Sequence, residues 1–215
     1  MILGIVGSAR KNGITYQAVN KILHESGEEY EIISLSGKKI NGCIACLGCA
    51  KDNKCKVKDD FQEIQEKMLK ADIIVFGAAN YFGMINALSH AVLERTFAFR
   101  HNAEFSLKDK KAVIVTTSYN EKEGSSVEAA IKRFLDYNKI SVIESINVLG
   151  YSQCYSCGRG HQCLVGNVYK DHGRLLSSMD EATFPLEFCE QSESNDKCNK
   201  VIKKIKEEIE KNSPK

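Results

Sequence analysis

The sequence lacks any long apolar run and any strong excess of charge. No apolar stretch in the 215 residues approaches the roughly 20 residues that a membrane-spanning helix needs. The formal net charge is only +2, which gives no electrostatic reason to expect a nucleic acid as a partner. We therefore expect a protein that binds neither membranes nor nucleic acids.

The opening residues also lack the features of a secretion signal. The segment MILGIVGSAR starts directly with a short apolar strand pattern and has neither a basic leading region nor a small-residue cleavage site. Nine cysteines without such a signal favour metal or redox chemistry over a disulfide framework. We expect the protein to work in a reducing cytoplasm.

Short apolar runs alternate with amphipathic helical patterns along the first part of the chain. Strands that read as continuous apolar runs suit a parallel sheet that is covered on both faces. The sequence therefore predicts an α/β fold with a doubly wound, five-stranded parallel sheet and with ligands bound beyond the carboxyl ends of the strands. The predicted strands are Ile2–Val6, Tyr30–Leu35, Ile73–Gly77, Ala112–Thr116 and Val142–Leu149.

No linker or internal repeat divides the chain. We predict a main domain over residues 1–150 that includes a cysteine-rich loop at 38–58 after the second strand. Residues 151–215 are predicted to form a long C-terminal extension with a second group of cysteines. The extension ends in an amphipathic helix at about Asn195–Lys211.

The first predicted strand is followed by the loop Gly7–Thr15, GSARKNGIT, which leads into a helix. Small residues, hydroxyl groups and a positive charge at a strand-to-helix turn favour an anion site. The loop has no G-x-G-x-x-G pattern for a tightly held dinucleotide and no G-K-[ST] for a nucleotide triphosphate. Its hydroxyl and amide donors suit a terminal phosphomonoester such as that of FMN. The alternative is a capped helix after a tight turn.

Four cysteines follow the pattern C-x2-C-x2-C-x5-C. Thiolates at three-residue steps, with a fourth a short loop away, can surround one [4Fe–4S] cluster. Zinc ligands and plain reduced thiols are the alternatives. The predicted cluster ligands are Cys43, Cys46, Cys49 and Cys55.

Three segments together resemble the NADPH-dependent FMN reductase family, and within it the iron–sulfur flavoproteins of anaerobic microbes. They are the loop GSARKNGIT, the segment Phe76–Thr96 and the cysteine run followed by KVKDDF. The resemblance covers about the first 150 residues. It implies a flavodoxin-like fold, non-covalently bound FMN, and homodimers or homotetramers in which the flavins lie near subunit contacts.

The resemblance also implies which residues bind the flavin. A first loop would hold the phosphate, a second would meet the ribityl chain and the isoalloxazine edge, and a third would approach the pyrimidine side. The family usually has proline at the position of Ala79, so this chain lacks one backbone restraint there. For the aromatic members, ordinary packing is the alternative. The implied contacts are Ser8, Arg10, Asn12, Gly13, Ile14 and Thr15, then Ala79, Asn80, Tyr81, Phe82 and Gly83, then Thr117, Ser118 and Tyr119.

Flavin accepts a hydride as a two-electron unit and can release electrons singly, whereas a cluster exchanges one electron at a time. We therefore expect an FMN-dependent oxidoreductase with NAD(P)H or ferredoxin as donor and a small molecule or a protein as acceptor. No catalytic side chain is predicted, because hydride transfer to flavin requires no protein acid or base. The alternatives are a non-catalytic electron carrier and a thiol or metal redox sensor.

A second group of cysteines, Cys154, Cys157 and Cys163, follows the fifth predicted strand. The group could bind zinc or a second cluster, and the glycines around it equally suit a tight turn with free thiols. The expected strand order places it at the opposite edge of the sheet from Cys43, so we do not expect one subunit to join the two groups. Its possible fourth ligands are His161, His172 and Cys189.

Overall fold

The computed structural model describes residues 1–120 and 124–212. Its strands are β1 (Ile2–Val6), β2 (Tyr30–Ser34), β3 (Ile73–Tyr81), β4 (Met84–Ile85), β5 (Lys111–Ser118) and β6 (Ser141–Leu149). Five of them form a parallel sheet in the order β2-β1-β3-β5-β6. The predicted doubly wound parallel sheet is confirmed.

One short hairpin was not predicted. Strand β3 continues past Gly77 and turns back at Phe82 into β4, which pairs with it in the antiparallel direction. Both turn residues have positive φ, 56° at Phe82 and 75° at Gly83. This is the geometry of a type I′ turn, which matches the twist of the paired strands.

Helices cover both faces of the sheet. They are α1 (Ile14–Ser26), α2 (Phe61–Lys70), α3 (Ala87–Arg95), α4 (Gly124–Tyr137), α5 (Asn167–His172) and α6 (Ser192–Asn212). Because side chains alternate along a strand, β1 sends Leu3 and Ile5 to a core shared with α2, α3 and α4. It sends Ile2 and Val6 to a second core with α1 and α6.

The terminal helix α6 belongs to this second core. Its Cys198, Val201 and Ile205 are fully buried beside α1. In β1, a Cβ at Gly4 would lie 2.5 Å from the Leu23 side chain, so the glycine lets α1 pack closely on the sheet. Helix α6 thus completes the layer of helices that α1 begins on this face of the sheet.

The segment between β6 and α6 carries a small apolar cluster of its own, formed by Tyr155, Val168, Leu176 and Ala182. It folds into short helical turns and the six-residue α5. The division of the chain after residue 150 stays a prediction. Among residues 1–120 and 124–212, none of the helices combines the length and apolar character that crossing a bilayer requires.

Candidate functional site

An open cleft lies at the carboxyl ends of the strands, where a doubly wound sheet binds its ligands. Its volume is about 540 Å³, which is in the range of small-molecule sites. The three predicted loops supply Ser8, Arg10, Ile14, Thr15, Ala79, Asn80, Tyr81, Phe82, Thr117, Ser118 and Tyr119 to its walls. The topology therefore brings together three segments that are far apart in sequence.

One end of the cleft is formed by the amino terminus of α1. The N-cap residue is Gly13, no side chain of the described residues caps the helix, and its first turn has no acidic residue. The backbone N–H groups of this turn therefore suit an anion, and Arg10 adds a positive charge beside them. At the floor, the Thr15 hydroxyl donates to the Thr117 hydroxyl over 2.8 Å, which ties the first loop to the third.

The loop Gly7–Thr15, predicted to bind phosphate, is supported from behind by the start of α3. The Asn86 side-chain amide donates to the Gly7 carbonyl over 2.7 Å, and the Ser89 hydroxyl donates to the Asn86 amide oxygen over 2.7 Å. A Cβ at Gly7 would lie only 1.7 Å from the Ser89 Oγ. The loop can take this position only with glycine there. The sequence analysis did not identify Asn86 and Ser89 as supporting residues, because no local sequence pattern connects them to the loop.

Aromatic side chains form the rim. Phe82 is 97% exposed at the tip of the β3–β4 hairpin, where Asn80 Oδ1 accepts from the Gly83 N–H over 2.8 Å. Tyr81 accepts at its hydroxyl from the Gln153 side chain over 2.9 Å. Strand pairing of Ala79 with Thr117 restrains the backbone at the position for which the resemblance implies a proline.

The segment after β6 closes one wall of the cleft. The Arg10 guanidinium lies 4.3 Å from the centre of the Tyr151 ring and donates to the backbone carbonyl oxygen of Tyr151 over 3.3 Å. Asp171 accepts from the hydroxyls of both Tyr119 and Tyr155. Burial and this carboxylate raise the pKa of both tyrosines, so they stay protonated at neutral pH.

Three predicted contacts, Asn12, Gly13 and Gly83, do not line the cleft. Asn12 is exposed, and its carbonyl accepts from the Gln17 side chain, while Gly83 completes the hairpin turn. The sequence analysis missed the wall contributed by the extension, although that segment follows β6 and so begins at the ligand edge of the sheet. The residues that form this wall are Gly150, Tyr151, Ser152, Gln153, Cys154 and Asn167.

The four cysteines of the first group line a single separate cavity. Cys43 and Cys46 are exposed, whereas Cys49 and Cys55 are buried. The remaining walls include Arg95, Phe97 and Ala98 at the end of α3 and after it. Burial raises the pKa of the Cys49 thiol, and the neighbouring thiols act in the same direction.

Two basic side chains contact the sulfur atoms. Arg95, which is 1% exposed, donates from Nε to the Cys55 sulfur over 3.1 Å and forms a buried ion pair with Asp59 at 2.8 Å. His101 Nε2 lies 3.2 Å from the Cys49 sulfur. The cavity therefore combines thiols with the Arg95 guanidinium, a charged donor that stabilises negative charge on sulfur.

The backbone of the cysteine loop takes an uncommon conformation. Ala45, Leu47 and Asn53 have φ between 52° and 56°, a region that non-glycine residues rarely occupy. Such residues concentrate at ligand clamps. In residues 1–120 and 124–212, no three His, Cys, Asp or Glu side chains converge as ligands of a single metal ion. A [4Fe–4S] cubane spaces its thiolates more widely than one ion does, so four cysteines around one cavity fit its donor set.

The two sites lie at opposite ends of α3. Asn86, the N-cap of this helix, contacts the phosphate loop, whereas Arg95, its last residue, contacts Cys55. Nine residues at 1.5 Å each separate these ends by about 13 Å. The chain leaves β2 beside the first loop of the cleft, because the Ser36 hydroxyl donates to the Ala9 carbonyl. The four cysteines that follow line a cavity separate from the cleft.

The second group of cysteines lies beyond the other edge of the sheet, because β2 and β6 are the outer strands. Cys154 lines the cleft, and its sulfur accepts from the Asn167 N–H over 3.3 Å. The Cys157 sulfur lies 3.4 Å from the Cys154 carbonyl oxygen. For this group, metal binding and a tight turn with free thiols both stay open as alternatives.

The sequence matches the family model of NADPH-dependent FMN reductases over residues 1–152. The chain belongs to the NADPH-dependent FMN reductase family. The predicted membership is confirmed, and it supports FMN as the cofactor and a flavin-dependent oxidoreductase activity with donors of the NAD(P)H type.

Similar proteins agree with this membership. An iron–sulfur flavoprotein of Methanocaldococcus jannaschii is 35% identical over 144 residues, which are 66% of this chain and 75% of that protein. An iron–sulfur flavoprotein of Methanosarcina thermophila is 30% identical over 142 residues, which are 65% of this chain and 73% of that protein. RosB, solved with bound 8-demethyl-8-formylriboflavin-5′-phosphate, has a TM-score of 0.62 at 17% identity, covering 95% of this chain and 75% of RosB. At that identity the likeness concerns the fold.

Proposed function

We propose that this protein is an FMN-dependent oxidoreductase that takes electrons from NAD(P)H or ferredoxin and passes them to a small-molecule or protein acceptor. The observation that carries the proposal is the cleft at the strand ends. Three loops predicted as flavin contacts meet there, and one end is the uncapped amino terminus of α1 beside Arg10.

Each wall of the cleft has a role in holding the cofactor. The α1 amino terminus, Ser8 and Arg10 would bind the phosphate, while the hairpin that carries Tyr81 and Phe82 would flank the ring. Bound FMN would supply both hydride and single-electron chemistry. Tyr119, kept protonated beside Asp171, offers a hydroxyl at the opposite wall.

We further propose that Cys43, Cys46, Cys49 and Cys55 hold a [4Fe–4S] cluster. Their shared cavity, the strained loop around it and the sulfur contacts from Arg95 and His101 support this proposal. Hydrogen bonds to the ligand sulfurs would raise the reduction potential of a bound cluster. The cluster would then accept single electrons from flavin.

Flavin titration tests the cleft. We expect tight binding of FMN and much weaker binding of riboflavin, because riboflavin lacks the phosphate. Arg10→Met should weaken FMN binding by roughly 10- to 100-fold, as expected for one charge-assisted hydrogen bond, and leave riboflavin binding unchanged. Lys11→Met, at an exposed neighbour outside the cleft, is the matched control. Equal affinities for the two flavins in the unaltered protein would contradict the phosphate site.

Anaerobic purification with iron and sulfide analysis tests the cluster. The unaltered protein should contain about four iron and four sulfide atoms per chain. Cys43→Ser should lose most of this content, whereas Cys189→Ser, at an exposed cysteine outside this cavity, should keep it. Stoichiometric FMN without iron would remove the cluster from the proposal.

A non-catalytic electron carrier is the second candidate, and the surface of the cysteine loop favours it. Ile44 and Leu47 are exposed beside the cysteine cavity and suit contact with a protein partner. Stopped-flow reduction by NADPH, NADH and reduced ferredoxin separates the candidates. Fast reduction by a pyridine nucleotide, or multiple turnovers of an acceptor driven by ferredoxin, supports the enzyme. Binding of FMN with little turnover from any of the three donors supports the carrier.

We also propose a homodimer or homotetramer in the cytoplasm. Phe82 and Met84 are largely exposed on the hairpin beside the cleft, where a second subunit would cover them. Sedimentation velocity at several concentrations would test the assembly, and a monomer at micromolar concentration would contradict it.

A further inference from the structure

The segment after β6 places a pair of cysteines beside the flavin cleft. Cys154 is half-buried and lines the cleft together with Ser118 and Tyr119. Cys157 follows it after two residues and is exposed. A C-x2-C pair at the wall of a redox cleft differs from an isolated thiol, because two thiols can release two electrons by forming one S–S bond and take them up again when that bond breaks.

The turn between the two residues brings the Cys157 sulfur back to the backbone of Cys154. A short helical turn over Gln153–Tyr155 reverses the chain, and Gly158 continues the reversal with φ of 74°. As a result, the Cys157 sulfur lies 3.4 Å from the carbonyl oxygen of Cys154. Two cysteines three positions apart in one tight turn, with one sulfur against the backbone of the other residue, suit the short Cα–Cα span of a disulfide.

Backbone donors contact both sulfurs. The Asn167 N–H donates to the Cys154 sulfur over 3.3 Å, and the Arg159 N–H donates to the Cys157 sulfur over 3.4 Å. A hydrogen bond with the Ser152 side chain, the bond from Asn167 and the charge of Lys170 lower the pKa of the Cys154 thiol. A larger thiolate fraction makes a cysteine more reactive in exchange.

Another thiol of the chain shows the opposite environment. Cys198 is fully buried in α6, and burial raises the pKa of its thiol to about 12. Such a thiol fills space in the core and stays inert. The chemistry available to Cys154 and Cys157 therefore comes from their position and contacts.

We propose that Cys154 and Cys157 form a reversible disulfide that exchanges two electrons with the flavin of the cleft. The S–S bond of the oxidised pair takes two electrons from reduced flavin (FMNH⁻) and breaks. The two sulfurs take up two protons, one from the reduced flavin and one from solvent, and the flavin is left oxidised. The exchange rests on the proposed function, whereas formation of the disulfide does not.

The disulfide is tested first, on the purified protein in glutathione buffers of increasing oxidised fraction. Free thiols are alkylated and located by peptide mass spectrometry. We expect a Cys154–Cys157 disulfide that appears and disappears reversibly, that is lost in Cys154→Ser and Cys157→Ser, and that remains in the control Cys189→Ser. Independent alkylation of both thiols in every buffer, pairing of Cys154 with Cys163, or bound zinc that protects both thiols would overturn the proposal.

The exchange is tested next, on oxidised protein with and without bound FMN. Photoreduction of the flavin without oxygen should release two alkylatable thiols per chain, Cys154 and Cys157, only in the FMN-loaded sample. A disulfide that persists while the bound flavin is reduced would overturn the exchange. Failure of FMN to bind would overturn both the exchange and the proposed function, and the result with glutathione would still stand.

Discussion

The cleft at the strand ends and the cysteine cavity are built in different ways. The cleft collects residues from the ends of β1, β3 and β5 and from the extension, so it exists only because the sheet orders these segments. The cavity takes four sulfurs from one short segment and closes them with the end of α3. Sheet topology thus determines the first site, whereas local spacing and one buried ion pair determine the second.

The largest expected effect comes from breaking that ion pair. Arg95→Met leaves the Asp59 carboxylate, whose side chain is 4% exposed, without its cation. Loss of one partner of a buried pair costs about 3–5 kcal/mol, which urea unfolding would measure. The control Arg174→Met breaks an exposed pair with Glu181 and should cost under about 1 kcal/mol. Equal costs would show that the cysteine cavity does not depend on Arg95.

Acid should reduce the difference between Arg95→Met and the unaltered protein. Burial raises the pKa of Asp59, but hydrogen bonds from Arg95 and from backbone N–H groups outweigh it and hold this pKa below its usual range. The stabilisation is therefore present above the unfolded value of about 3.9 and is lost as the pH falls through the folded pKa. Unfolding measured at pH 7 and pH 3 should show the two proteins converging. A constant difference would assign the cost to lost packing.

The next effect concerns the phosphate loop. Gly7→Ala forces a Cβ against Ser89, so it should cost about 1–3 kcal/mol and weaken FMN binding. Ser89→Ala removes the closest atom, and the double variant should recover part of both losses relative to Gly7→Ala. Unfolding curves and FMN titrations of the two single variants and the double variant measure this coupling. Additive losses would mean that Ser89 does not define the position of the loop.

The smallest expected effect comes from relieving backbone strain at one residue with positive φ in each region. Phe82 in the hairpin and Leu47 in the cysteine loop are both exposed and both have positive φ. Replacing either with asparagine should stabilise the protein by about 1 kcal/mol, because asparagine tolerates this conformation. Phe82→Asn should also weaken FMN binding several-fold, whereas Leu47→Asn should not. Unchanged FMN affinity in Phe82→Asn would remove the ring from the flavin site.

Much of the fold and of the cleft could be predicted from local patterns. Apolar runs located the five parallel strands, and GSARKNGIT located the loop before α1. The hairpin at Phe82 was missed because its turn has no Asn-Gly or Asp-Gly pair. Its turn is held instead by Asn80, which accepts from the Gly83 N–H, and by Ser126, which donates to the Gly83 carbonyl. The sequence analysis did not identify Tyr151 and Cys154 as cleft residues, because the segment that contains them has little periodicity.

By itself the sequence determined the parallel sheet, the loop Gly7–Thr15 before α1 and the spacing of four thiols, because each depends on neighbours along the chain. Only the tertiary structure decided that Arg95 contacts Cys55, that Asn86 and Ser89 support Gly7, and that the two candidate redox sites lie at opposite ends of α3. These arrangements join residues far apart in sequence. They form only when the core has excluded water and the buried polar groups must find partners inside it.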